Sequence, residues 1–199
     1  MTTCTQTLMG LSHQKISCAC KKMKETGSKL FKNLSIIFVA IFFVGCAHQP
    51  QLPKQSHLLE KELLSMNADI SEAEANKLSK EMTAFSLKLK QQYDLVSPPL
   101  FHNFLVNIGV KKRGLCWQFA YDMLKHVKTL HLQSFDYYIG GANINDYWQE
   151  HNTLVVTCKG CRFEDGVLLD PWRNSGILYF SKLKNDKNYS WKQRGGLRN

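Results

Sequence analysis

The 199-residue chain has no apolar run long enough to cross a bilayer, no second CxxC or histidine pair beside its one CxxC, no internal repeat, and no basic stripe interleaved with aromatics. The first absence excludes a spanning helix, which takes about 20 consecutive apolar residues. The second argues against a zinc site, and neither a metal nor a cofactor is expected. The last argues against nucleic acid as a partner. Acidic residues are also scarce, 16 against 26 Lys and Arg, which gives a formal net charge of +10. Much of that excess is confined to the start of the chain.

There Lys21, Lys22, Lys24, Lys29 and Lys32 lead into an apolar stretch that runs from Leu34 to Val44-Gly45-Cys46. Its length is that of a signal-peptide core. The closing Val44-Gly45-Cys46 resembles the lipobox of bacterial lipoproteins, with Phe43 where a leucine is usual. The resemblance implies cleavage before Cys46 and lipid on its sulfur. Residues 1–45 are then a signal peptide, 46–56 a lipidated tether with two prolines and three glutamines, and 57–199 the working domain. Ala47 after the cysteine, in place of Asp, implies an outer-membrane destination facing the periplasm. The stretch ahead of the lipobox is long for a signal, so translation starts at Met1 or at Met23. Six lysines and one glutamate leave with residues 1–45, so 26 basic residues fall to 20 and 16 acidic to 15, about +5 net.

The cysteine count changes with it. Cys4, Cys18 and Cys20 leave, Cys46 carries lipid, and Cys116, Cys158 and Cys161 remain. In an oxidising periplasm neighbouring thiols pair. Cys158-Lys159-Gly160-Cys161 reads as a disulfide-closed hairpin tip, which leaves Cys116 as the single free thiol.

Helical patterns come first and strands after. Residues 58–66 form a short helical pattern. Ser71 with Glu74 makes a capping box for an amphipathic helix running to about Tyr93, and residues 100–108 follow Pro98-Pro99 as a further helix. Strand-like runs cover 135–140, 153–157, 167–170 and 177–180, with Asn174-Ser175-Gly176 as the last turn. This order predicts an α+β domain with N-terminal helices packed on a small antiparallel sheet.

The most informative stretch is Arg113-Gly114-Leu115-Cys116-Trp117-Gln118-Phe119. Leu115, Phe119, Met123, Leu124 and Val127 recur at helical spacing, so Cys116 sits in a first helical turn. Unpaired amides and the helix dipole there favour an anion, and a thiolate is the nucleophilic form of cysteine. Gly114 lets the backbone turn tightly into that helix. Downstream, Glu150-His151-Asn152 opens one strand and Asp170-Pro171-Trp172-Arg173 closes the next. Cys, His and Asp in this order, on a helix start and two strands, resemble the papain-like fold in its transglutaminase-like form. The string RGLCWQ…EHNTLVV…LLDPWRNSG also resembles a group of proteobacterial lipoproteins without assigned activity. The resemblance implies Cys116 as nucleophile, His151 as base and Asp170 as its orienting acceptor. Val110 stands where papain carries its oxyanion glutamine, so Asn107, Asn103 or a backbone amide would take that role. Trp117, Asn152 and Arg173 are substrate candidates, Arg173 for a carboxylate.

Each residue also has a structural reading: a buried cysteine, a histidine at a strand edge, an aspartate ending a strand. Two functions follow. One is a membrane-anchored periplasmic cysteine hydrolase or acyltransferase acting on amide bonds of a peptide, protein or peptidoglycan. The other is a non-catalytic envelope lipoprotein whose degenerate papain-like domain binds a peptide or wall fragment.

Overall fold

The computed structural model describes residues 52–146 and 148–194 of the chain. The signal segment and Cys46 lie outside the described residues. Four helices precede a five-stranded antiparallel sheet: α1 (Leu52–Leu64), α2 (Glu72–Gln92), α3 (Pro99–Asn107), α4 (Cys116–Lys128), then β1 (Phe135–Ala142), β2 (His151–Cys158), β3 (Val167–Asn174), β4 (Ile177–Lys182) and β5 (Lys192–Arg194). The sheet order is β4-β3-β2-β1-β5. Among the described residues no helix is long and apolar enough to cross a membrane.

Local chemistry accounts for the helices. Leu59 and Leu63 lie one turn apart and are fully buried, as are Ala75, Leu78 and Met82 on α2. Ser79, Thr83 and Ser86 are buried among them, and each hydroxyl donates to a carbonyl three or four residues back, which leaves no donor stranded. The Ser71 hydroxyl caps α2 by accepting from Glu74 N at 3.4 Å. The reciprocal half of the expected capping box does not form. The Glu74 carboxylate instead accepts from the amides of Gln133 and Ser134, which ties the start of α2 to the approach to β1.

Two boundaries differ from the sequence reading. Helix α1 begins at Leu52, inside the expected tether, because proline at position 53 is tolerated in a first turn and the Gln55 amide donates to Leu178 O at 2.5 Å. The C-terminal tail also adds β5, an edge strand of three residues beside β1. Every residue of β2 is buried, because it runs centrally between two apolar clusters. Leu154, Val156 and Leu169 pack with α1, α2 and α4 on one face. Val155 and Leu168 pack with Phe163 and Leu183 on the other.

The β2–β3 connection is not the tight hairpin expected at Lys159-Gly160. Val155 pairs Leu168 and Leu154 pairs Leu169, four positions away from a register counted from Cys158 opposite Cys161. The difference is a loop containing the 3-10 turn Phe163–Asp165. Cys158 and Cys161 form a disulfide, but the turn it closes lies against the start of β1. Lys159 N donates to Ser134 O, and Gly160 N to the Asp136 carboxylate.

Candidate active site

Cys116 is the first residue of α4, and three neighbours fix the turn that leads to it. Gly114 has φ +125, and a side chain there would overlap the ring of His102. His102 is buried on α3. Its Nδ1 accepts from Val96 N at 3.2 Å and its Nε2 donates to Arg113 O at 2.8 Å, so one imidazole straps both ends of the α3 segment to the turn. From inside α4, Gln118 Oε1 accepts from Gly114 N at 2.7 Å and Leu115 N at 3.0 Å. Leu115 itself offers no side-chain cap. The first-turn amides of Cys116 and Trp117 are too early in the helix for an i−4 acceptor.

His151 opens β2, and its Nε2 lies 2.6 Å from Asp170 Oδ2 with both side chains buried. The even register difference keeps them on one face of the sheet: continued one residue beyond the Leu154–Leu169 pair, the register sets Asp170 across from Thr153, and His151 lies two residues further along. By the alternation of β2 this face also carries Val155, so the imidazole is covered by the C-terminal segment. The rings of Trp172, Tyr189 and Trp191 lie 4.8, 4.8 and 5.5 Å from it. Burial pushes the His151 pKa down, but the charge and hydrogen bond of Asp170 outweigh it and hold the value at about 9. Cys116 adds to the rise.

The sulfur and the imidazole adjoin at the start of β2, but they are not aligned. Cys116 Sγ donates to Glu150 O at 3.8 Å, and His151 Nδ1 has no hydrogen-bond partner among the described residues. Rotation of the thiol from that carbonyl toward Nδ1 is the change that would align them. Catalytic hydrogen bonds are often loose before substrate arrives.

A cleft of about 550 Å³ lies beside the pair, lined by Trp117, Tyr121, Asn145, Glu150 and Arg194. Cys116, 8% exposed, lies just inside this lining rather than on it. Glu150 is bound by Arg194 at 2.7 Å, Asn145 N at 3.0 Å and Asn152 at 3.3 Å. The Asn145 amide and these polar partners hold its carboxyl below the ordinary glutamate value.

The remaining candidates separate. Trp117 lines the cleft. Asn152 is buried between Glu150 and Arg194, whose guanidinium donates to Asn152 Oδ1 at 2.8 Å. Asn107 is exposed at the end of α3, and Asn103 accepts from Trp172 Nε1 at 3.0 Å. Arg173 does not face the cleft as a carboxylate binder would. Its Nε meets Asp170 at 3.2 Å, its two terminal nitrogens grip Asp186 at 3.1 and 2.8 Å, and it stacks on Tyr179 and Tyr189. Asp186 also takes Trp191 Nε1 at 2.9 Å. Asp186 and His102 carried no signal in the sequence, because each acts through partners made adjacent only by folding.

No family model matches the chain, and no solved structure matches it. It is similar to an uncharacterised protein of Chlamydia trachomatis, 29% identical over 118 residues that cover 58% of this chain and 30% of that protein. It is also similar to an uncharacterised protein of Chlamydia muridarum, 30% identical over 112 residues that cover 55% of this chain and 28% of that protein. The matched part thus spans less than a third of either relative. What the fold defines is a mixed α and β domain with helices ahead of an antiparallel sheet.

Proposed function

We propose that this is a papain-like domain of the transglutaminase-like kind, lipid-anchored to the bacterial envelope through Cys46, with Cys116 as nucleophile in acyl transfer from an amide. The observation that carries it is the buried His151–Asp170 pair, 2.6 Å apart through Nε2, with Nδ1 left without a partner among the described residues, beside the one free cysteine that those residues hold. Asp170 fixes the imidazole tautomer and orientation, as the third member of a triad does. In the reactive state the proton shared by Cys116 and the imidazole rests on Nδ1, as the raised His151 pKa favours, and the thiolate sulfur attacks the amide carbonyl carbon. The tetrahedral oxyanion is held by the first-turn amides of Cys116 and Trp117. Nδ1 then protonates the departing amine, which leaves a thioester. Water or an amine, deprotonated at Nδ1, attacks that thioester and releases Cys116, giving hydrolysis or transfer. A peptide, protein or peptidoglycan strand would enter through the cleft beside Trp117 and Tyr121.

One observation favours the non-catalytic reading: the thiol is nearly buried and donates to Glu150 O rather than to His151. Iodoacetamide labelling at pH 7 separates the two. With the disulfide intact, Cys116 should alkylate at least about tenfold faster than a model thiol, and His151→Ala should abolish that excess. Labelling as slow as a buried core cysteine would leave only the binding role.

A further inference from the structure

Helix α3 presents an apolar stripe that nothing in the described residues covers. Leu100 is 69% exposed, Phe101 47%, Phe104 54% and Ile108 54%. These residues recur three and four apart and form one side of the helix. The opposite side faces the protein, through His102 to Arg113 and through Asn103 to Trp172. A soluble surface rarely gathers several large apolar side chains in one patch without use.

The placement of that stripe identifies its occupant. Gln55, in the first turn of α1, bonds Leu178 at the start of β4, and Asn103 of α3 bonds Trp172 near the end of β3. Asn174 and Ile177 pair across the β3–β4 turn, so both helices hold the same end of the sheet. Helix α1 starts at Leu52, also exposed, and five residues separate it from Cys46. The six residue steps from Cys46 to Leu52 reach at most about 22 Å. A lipid on Cys46 therefore keeps this end of the domain within one short tether of the bilayer surface. Lys54 and Lys112 are exposed beside the two apolar segments, as suits a surface with anionic headgroups.

We propose that the Leu100, Phe101, Phe104 and Ile108 face of α3 docks on the membrane surface, as a second contact beside the lipid anchor. This rests on the anchoring part of the proposed function and not on the catalytic part. The helix would lie in the plane of the interface with its apolar side chains among the upper acyl chains. Because His102 joins α3 to the Gly114 turn, docking would hold the Cys116 end of the domain near the headgroups.

The full chain can be purified from envelopes and reconstituted in phosphatidylethanolamine and phosphatidylglycerol vesicles containing brominated acyl chains. In Phe104→Trp, the emission added over wild type should fall about twofold or more with brominated lipid, because quenching needs the indole within the outer acyl region, about 5–10 Å deep. Glu164→Trp, in the loop at the opposite end of the sheet, should lose none. Equal emission from Trp at both positions, or no quenching at position 104, overturns the docking proposal. That includes the case in which a protein partner covers α3 instead. The intact mass of the Cys46 peptide from the same sample reports the anchor separately. Quenching without lipid on Cys46 upholds the docking face and removes the anchor; lipid without quenching does the reverse.

Discussion

At the scale of single residues, His151, Asp170, Arg173 and Asp186 form one line of alternating charge, joined by contacts of 2.6, 3.2 and 2.8 Å. With the imidazole protonated the line is neutral, which is how four ionisable groups share a largely dry site. Removing one member would strand its neighbour's charge, the costly way to break a buried pair. Gly114 is a second point where one residue decides the geometry. Its positive φ strains any other residue, and an added methyl would overlap His102. Gly114→Ala should therefore lower stability by about 2–4 kcal/mol, the sum of a backbone and an overpacking cost. A denaturation midpoint unchanged from wild type would show that the turn and the His102 strap can move apart. The Cys, His and Asp positions were legible because each sits at an element end marked by sequence: glycine before a helix, a polar residue before an apolar run, aspartate before proline. The partners of Arg173 were not legible, because nothing in its neighbourhood marks Asp186, 13 residues on.

At the scale of elements, helices and central strands were legible because periodicity reports burial directly. Strand β5 was not, since Lys192–Arg194 is too short and polar to show alternation and exists only by pairing with Ile139–Gly141. The β2–β3 register was illegible for a related reason. The turn at Lys159-Gly160 is local, while the 3-10 turn after it gains its place by burying Phe163 against Val155 and Leu168. His151 and Asp170 still share a face because the four-position displacement is even. The Cys158–Cys161 disulfide lies at the far end of β2 from His151, so it should matter to stability and not to the site. The double variant Cys158→Ser, Cys161→Ser should lose at most about 2 kcal/mol, the loop-closure value for so short a ring. It should alkylate at Cys116 at the wild-type rate. A slowed Cys116 would mean that the disulfide turn transmits strain along β2 to the candidate site.

At the scale of the whole molecule, the two directions of pKa shift set a stability window. Asp186 is held below the ordinary aspartate value: burial raises it, but Arg173, Trp191 and the Asn188 amide lower it further. Glu74 is lowered chiefly by the Gln133 amide. Groups of this kind stabilise the fold above the carboxylate range and lose that contribution as pH falls through their depressed values. His151 works in the opposite direction. Its folded pKa is about 9, above the 6.5 of a free imidazole, so the folded state binds the proton more tightly. That contribution is complete below about pH 6.5 and disappears as pH rises through 9. The full chain in detergent, with Cys116→Ser so that Asp170 alone supports the charged imidazole, should therefore show a urea midpoint that declines as pH rises from 6.5 toward 9, levelling short of 9 because the share of the rise due to Cys116 is gone. Adding Asp170→Asn removes the charge that outweighs burial, so burial alone should set the imidazole below 6.5 and favour its neutral form. The slope should then reverse, with the midpoint falling as pH drops below about 6.5 and level above it. A wild-type decline that persists unchanged in Asp170→Asn would assign it to another group. The His151–Asp170 pair would then no longer be the charge coupling on which the catalytic reading depends.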